Sequence, residues 1–444
     1  MNTPSRFAKR LHQSGWILLG LLPAMAQAVN IDQQPLVIGK PPPPNILFIL
    51  DNSTSMSRDY MPDNAPSGNI RRTTYPVNLV AYNPLVTYEP WYKADGTKMD
   101  DVNASNTGAT IVSSDNFRIP PQAEGTTNLT TSSNRCFHTP RTSTSNPTTN
   151  SDLYLWRFNY TGSDNSARIT HLERCNAASW GTTFTCGNTT GPRPSGCKRY
   201  ELNDPVEWTH GSTTVTRTVL EEWQNYANWY HYYRTRAKMA KGAASRAFAG
   251  LFADVPEDQD VPFRIGYTTI NVNATSNPFY RIPVGNDNGL FQGTNRATWY
   301  SRLYNTTPIS DTPLRAALGR AGEYFRETGP DGPWGPEETE DQLSCRQNFA
   351  ILTSDGYWND DAASNTGAQA NVDNTDGEEI TGPGGQSYTY TATRPYADSQ
   401  SNTLADVAMY YWKNDLRQDL KNDVPTSANN PAFWQHMVTF AISI

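Results

Sequence analysis

Ile46-Leu47-Phe48-Ile49-Leu50 runs directly into Asp51-Asn52-Ser53-Thr54-Ser55-Met56. Five consecutive apolar residues suit a short strand covered on both faces. The Asp-x-Ser-x-Ser that follows puts one carboxylate and two hydroxyls on the turn leaving that strand, aimed at a common point. Oxygen donors without nitrogen or sulfur suit a hard cation such as Mg²⁺ or Mn²⁺. Alone, Asp-x-Ser after a strand is also an ordinary turn or helix cap, so the reading depends on what the rest of the chain adds.

Three further apolar, partly β-branched runs read as strands, at 263–270, 349–353 and 437–442. Helical patterns lie between them at 219–251, 312–327 and 403–420, the second opening on Thr312-Pro313, a favoured cap and first-turn pair. Strands alternating with helices predict a doubly wound α/β sheet, which binds ligands at the carboxyl ends of its strands. Asp51 stands at one such end. Two more oxygen donors occupy element boundaries: Thr312, in Ser310-Asp311-Thr312-Pro313-Leu314, and Asp355, in Thr353-Ser354-Asp355-Gly356. Thr312 alone reads as a helix cap, and Asp355-Gly356 alone as a turn.

Taken together and in this order, the three segments resemble the metal-ion-dependent adhesion site of von Willebrand factor A domains. The resemblance implies a Rossmann-like open sheet in which Asp51, Ser53 and Ser55 supply the first metal loop. Thr312 then supplies the second and Asp355 the third. Two carboxylates balance the dication, hydroxyls complete the shell, and one position stays open for an Asp or Glu of a partner.

Residues 62–216 interrupt this rhythm. Rich in Thr, Ser, Asn and Gly, they predict a large β or irregular insertion, and 359–398 predicts a second, loop-rich one. Five cysteines, Cys136, Cys175, Cys186, Cys197 and Cys345, are disulfide candidates. Four cluster in the first insertion and could form two bridges in three connectivities. The fifth is either free or joins the insertion to the core.

The first 28 residues carry a basic start (Arg6, Lys9, Arg10), an apolar stretch and Ala26-Gln27-Ala28, the signature of a secretory signal peptide. A proline-rich spacer at 29–44 leads into an A-like domain over 45–444. The chain is therefore expected to be exported, in a compartment that favours disulfides. Its net charge of −7 falls to −10 without the leader, which argues against nucleic acid and anionic membrane as partners. No segment after the leader approaches the ~20 apolar residues of a transmembrane helix. Gly-x-Ser-x-Gly and His-Glu-x-x-His are absent and the six histidines are scattered, so no enzymatic activity is expected.

Several stretches carry a narrower likeness. Residues 225–236 (Asn-Tyr-Ala-Asn-Trp-Tyr-His-Tyr-Tyr-Arg-Thr-Arg), 312–318 (Thr-Pro-Leu-Arg-Ala-Ala-Leu), 351–359, 403–412 and Trp434-Gln435-His436-Met437 resemble, in order, the PilY/PilC family of type IV pilus tip-associated proteins. The resemblance implies a fimbrium-biogenesis and cell-adhesion protein at the pilus tip, reached through the periplasm. Its partners would be minor pilins and a host or abiotic surface. A secreted metal-stabilised structural protein and a secreted hydrolase are the alternatives. Family members also carry a C-terminal propeller with a calcium loop. This chain shows none before Ile444, so it is expected to be a truncated product or fragment, or to have its second half on another chain. Calcium would belong to that missing region, and the Asn/Asp-rich stretches at 286–289 and 373–378 read as solvated turns. The rings at 226–233 read as packing, with Arg234 and Arg236 pairing with carboxylates on their own helix face or capping strand ends.

Overall fold

The computed structural model describes residues 42–63, 74–104, 107–141, 147, 149–177, 196–251, 262–309, 311–356, 358–359 and 361–444. The expected leader, most of the proline-rich spacer and Cys186 lie outside them.

Strand β1 (Asn45–Leu50) is followed by a 3₁₀ turn at Thr54–Ser57 and a long antiparallel region. There β2 (Ile111–Ser113) pairs with β3 (Thr126–Asn128). Strands β4 (Cys136–Pro140), β5 (Leu153–Thr161), β6 (Arg168–Asn176) and β7 (Lys198–Glu201) form a four-stranded meander, and β8 (Pro205–His210) and β9 (Thr213–Thr218) a hairpin. Then come α1 (Val219–Tyr232), α2 (Arg236–Gly250), β10 (Arg264–Thr269), α3 (Gly293–Asn305), α4 (Leu314–Phe325), β11 (Asn348–Ser354), the short pair β12 (Ile380–Thr381) and β13 (Ser387–Tyr388), α5 (Leu404–Lys413) and β14 (Met437–Ser443).

Strands β10, β1, β11 and β14 lie side by side in that order, every neighbour parallel. The apolar run explains why β1 is central. Phe48 and Leu50 point into one core with Phe248 of α2 and Trp299 of α3, while Leu47 and Ile49 point into another with Leu318 of α4 and Tyr411 of α5. A strand loaded on both faces cannot sit at a solvated edge. Each of these side chains stabilises the fold by roughly 1.5–3 kcal/mol through burial. Helices α4 and α5 cross closely at Gly322, where a Cβ would lie 2.2 Å from the Tyr411 ring.

Three helices differ from the sequence reading. The stretch 219–251 is two helices, broken at Tyr233–Thr235, because side chains there bond outward. Arg234 donates to the carbonyls of Ser113 and Asp115, and Thr235 donates to the Asn116 carbonyl while capping α2 through the Lys238 amide. Helix α4 begins at Leu314, since Thr312 is drawn away from capping by Asn359, which accepts from its amide (2.6 Å) and donates to its carbonyl (3.1 Å). Helix α5 stops at Lys413, where the Leu416 amide turns to the Gln435 carbonyl. Its start does carry the expected Thr403, in a reciprocal cap with Asp406.

Cys175 on β6 is bridged to Cys197, and Cys136 is also disulfide-bonded. Cys345 is a correction to the set of disulfide candidates. It is a free thiol, lying three residues before β11 in the parallel-sheet region, away from the antiparallel segment that holds the others.

Candidate metal centre

The site forms where β1 ends. Parallel pairing continues one step beyond the strand as the Asp51 amide donates to the Thr353 carbonyl at 3.1 Å. This places the residues after Leu50 beside those after Thr353. Asp51 is fully buried, and one carboxylate oxygen accepts from the Ser53 amide at 2.7 Å while the other accepts from the Ser354 hydroxyl at 2.9 Å. The 3₁₀ turn then brings Ser55 round so that its hydroxyl lies 2.8 Å from that of Ser53. The Ser55 hydroxyl in turn donates to Asp355 Oδ1 at 3.1 Å, across 300 positions of sequence. Gly356, at φ +136°, supplies the turn after Asp355 that an L side chain would resist.

Four of the five expected ligands, Asp51, Ser53, Ser55 and Asp355, therefore share one hydrogen-bonded cluster of oxygens. Thr312 reaches the same strand end by another route. Asn52, buried at the tip of β1, donates to the carbonyls of Asn271 and Thr307 and accepts the Ile309 amide on its own carbonyl. The loop leading to Thr312 is thus pinned to the Asp51–Ser55 turn, and Asn359 clamps Thr312 from the β11 side. Among the described residues, however, the Thr312 hydroxyl makes no hydrogen bond to the four clustered side chains.

Electrostatics at the cluster are strained on one side and relieved on the other. Burial, reinforced by the nearby Asp355 carboxylate, pushes the Asp51 carboxyl above the usual carboxylate range against the bonds from Ser53 and Ser354. Asp355 is relieved by Arg236, the first residue of α2, whose Nη1 donates to Asp355 Oδ2 at 2.7 Å. The same guanidinium donates to Asp63 and, through Nε, to the Tyr60 carbonyl at 2.7 Å. Burial alone would raise Asp63 and lower Arg236. The ion pairs reverse both, holding the Asp63 carboxyl below its ordinary value and Arg236 above its own.

Asp51 and Asp355 bring two formal negative charges, and Arg236, shared between Asp355 and Asp63, offsets only part of them. The donors of the cluster are all oxygen, with Oδ1 of Asp355 and both serine hydroxyls directed at one another, and this chemistry fits a hard dication. Another grouping, Glu173 with Cys175 and Cys197, does not fit a metal because its two sulfurs are joined to each other.

Ser354 and Arg236 were not assigned to the site by sequence reasoning. Ser354 adjoins Asp355 in the quoted motif, and its alternation on β11 could have flagged it. Arg236 had no such signal: it pairs with carboxylates from distant segments, not with its own helix face. Arg234 follows the other expectation and caps a strand end, donating to the carbonyl of Ser113, the last residue of β2, as well as to those of Tyr230 and Asp115. The rings at 226–233 do pack inward, with Tyr226 and Tyr232 buried.

The chain is 29% identical over 455 residues to the type IV pilus biogenesis factor PilY1 of Pseudomonas aeruginosa strain PAK, covering 97% of this chain and 34% of that protein. It is 30% identical over 465 residues to PilY1 of strain PAO1, with the same coverage, and 29% identical over 452 residues to that of strain UCBPP-PA14. No family model and no solved structure matches the chain. The chain spans about a third of the length of these curated relatives. Across nearly all of its own length, the chain is similar to the type IV pilus biogenesis factor PilY1.

Proposed function

We propose that this chain is a non-catalytic adhesion and biogenesis module of a type IV pilus, built on a von Willebrand factor A-type sheet. Its divalent-cation site, formed by Asp51, Ser53, Ser55, Thr312 and Asp355, engages a carboxylate of its partner. The observation that carries the reading is the meeting of Ser55 with Asp355, and of Asp51 with Ser354, at the end of the central parallel strand. A parallel sheet with helices on both faces supports the A-type assignment. The likeness to PilY1 supports the pilus setting.

A bound Mg²⁺ or Mn²⁺ supplies a positive charge with a coordination position for an outside oxygen. Asp51 and Asp355 neutralise that charge, the serines orient around it, and Thr312 is the oxygen of the second loop. No helix among the described residues is long and apolar enough to cross a membrane, in keeping with an exported chain held at the pilus tip by minor pilins. The test is attachment of the purified protein to isolated minor pilins with Mg²⁺, with Mn²⁺ and with EDTA. Cation-dependent attachment that disappears in Asp51→Asn supports the reading. Attachment indifferent to both EDTA and Asp51 refutes it, and substrate turnover abolished by the same change would indicate a hydrolase.

A further inference from the structure

A cavity of about 180 Å³ lies between the β4–β7 meander and the β8–β9 hairpin, bounded by Tyr154, Trp156 and Arg174 on one side and Glu207, Trp208 and His210 on the other. None of the residues of the oxygen cluster lines it. Strand register explains its charge. Arg174 on β6 stands opposite both Trp156 on β5 and Lys198 on β7, so two cations share one face of the meander as direct neighbours. Like charges facing one another in this way destabilise a sheet, and an anion placed between them removes that cost. Arg141, 5.5 Å from the Tyr154 ring centroid, adds a third positive charge to the wall.

Trp156 and Trp208 pack together with centroids 4.4 Å apart, and both are buried. The Arg174 guanidinium lies over this base, 5.6 Å from the Trp156 centroid and 4.5 Å from that of Tyr154. The indoles thus hold the cation and are not themselves open to a ligand. A guanidinium resting on ring faces keeps its N–H donors in its own plane, where they match a carboxylate. Among the described residues, Arg174 makes no hydrogen bond and no ion pair, and neither does the exposed Glu207. The His210 ring and the Tyr154 hydroxyl also have no hydrogen-bond partner among them.

Donors and an acceptor of opposite charge in one small space select the ligand. A bare carboxylate, such as an acidic side chain, would satisfy Arg174 but meet Glu207 as a like charge. A sugar acid offers both kinds of contact. Its carboxylate accepts from Arg174, and its hydroxyls donate to Glu207 and bond with His210 and Tyr154. The cavity is smaller than the roughly 300–1,000 Å³ of pockets for drug-sized ligands, so it takes a single residue. We infer that it binds one carboxylated sugar residue, of uronic acid type, of an acidic polysaccharide. This goes beyond the cation reading and does not depend on it.

The test is calorimetric titration of the whole chain, in EDTA, with methyl glucuronide, methyl glucoside and acetyl-Asp-amide. The glucuronide should bind on the order of tenfold more tightly than either of the others, through its charge-assisted bonds to Arg174. Arg174→Gln should erase the preference over the glucoside. Glu207→Gln, a conservative change at an exposed position, should weaken the glucuronide and tighten acetyl-Asp-amide. Glucuronide binding that is absent, or equal to that of the glucoside, overturns the inference. Tighter binding of acetyl-Asp-amide, lost in Arg174→Gln, assigns the cavity to acidic protein segments and overturns the sugar. Glucuronide binding seen only in Mg²⁺ and abolished by Asp51→Asn places the sugar at the oxygen cluster and overturns this pocket.

Discussion

Arg236 Nη1 donates to Asp355 Oδ2 at 2.7 Å, with 1% of the arginine side chain and 4% of the aspartate exposed. A fixed cation thus already occupies one oxygen of a carboxylate that the proposed dication would share. Arg236→Met should therefore act in two opposed ways. It leaves Asp355 buried and unpaired, lowering stability without metal by about 3 kcal/mol. It also removes a competing positive charge, raising Mg²⁺ affinity on the order of tenfold. Chemical denaturation with and without saturating Mg²⁺ measures both, and the stability gap from wild type should narrow when metal is present.

Asp51→Asn and Asp355→Asn keep shape while removing charge. Each should weaken Mn²⁺ binding by more than tenfold in calorimetric titration. Thr312→Ala should weaken it as well, by up to tenfold, because it removes the oxygen donor that the proposed site draws from the second loop. Affinity identical to wild type in all three variants would dismiss the assigned ligands.

His231 couples the break between α1 and α2 to pH. Its Nδ1 accepts from the Ser113 amide at 3.1 Å, and burial, with Lys238 and Arg234 nearby, lowers its pKa from 6.5 to about 3. A histidine whose folded value lies below its unfolded one stabilises the protein above pH 6.5 and loses that contribution as pH falls toward the folded value. At pH 5 the loss is about 2 kcal/mol. His231→Gln should therefore show a smaller drop in Tm between pH 7 and pH 5 than wild type. Parallel pH profiles would count against this role.

Thiol chemistry gives an independent check. Peptide mapping without reduction should recover Cys175 joined to Cys197, whose 22-residue separation makes the bridge worth about 3 kcal/mol. Cys345 should alkylate in the native protein, but more slowly than a free cysteine at neutral pH. Burial and the nearby Asp423 push its thiol up, so less of it is thiolate.

Much of the parallel sheet could be read from pattern alone. All four apolar runs became strands within a residue or two of their expected limits, because burial on both faces leaves a continuous apolar signature. Helix limits were less legible. The break at Tyr233–Thr235 is enforced by the carbonyls of Ser113, Asp115 and Asn116, and no local propensity reports partners a hundred residues away. Asp51, Ser53, Ser55 and Asp355 were legible because each sits at an element end with a recognisable turn. The side chain of Thr312 was not, because its clamp by Asn359 depends on how the loop after β11 folds back. Arg236 was missed for the same reason: its partners come from other segments.

The position of β1 also bears on how the molecule would carry load. It is laddered to β10 through six residue pairs on one side and to β11 through six on the other, and the loop carrying Asp51, Ser53 and Ser55 leaves from its very end. A pull on that loop along the strand axis would strain both ladders in shear, all rungs together, whereas a strand peeled from an edge gives way one rung at a time. A load borne at the tip of an interior strand such as β1 is thus resisted more stiffly than one borne at either edge strand, β10 or β14.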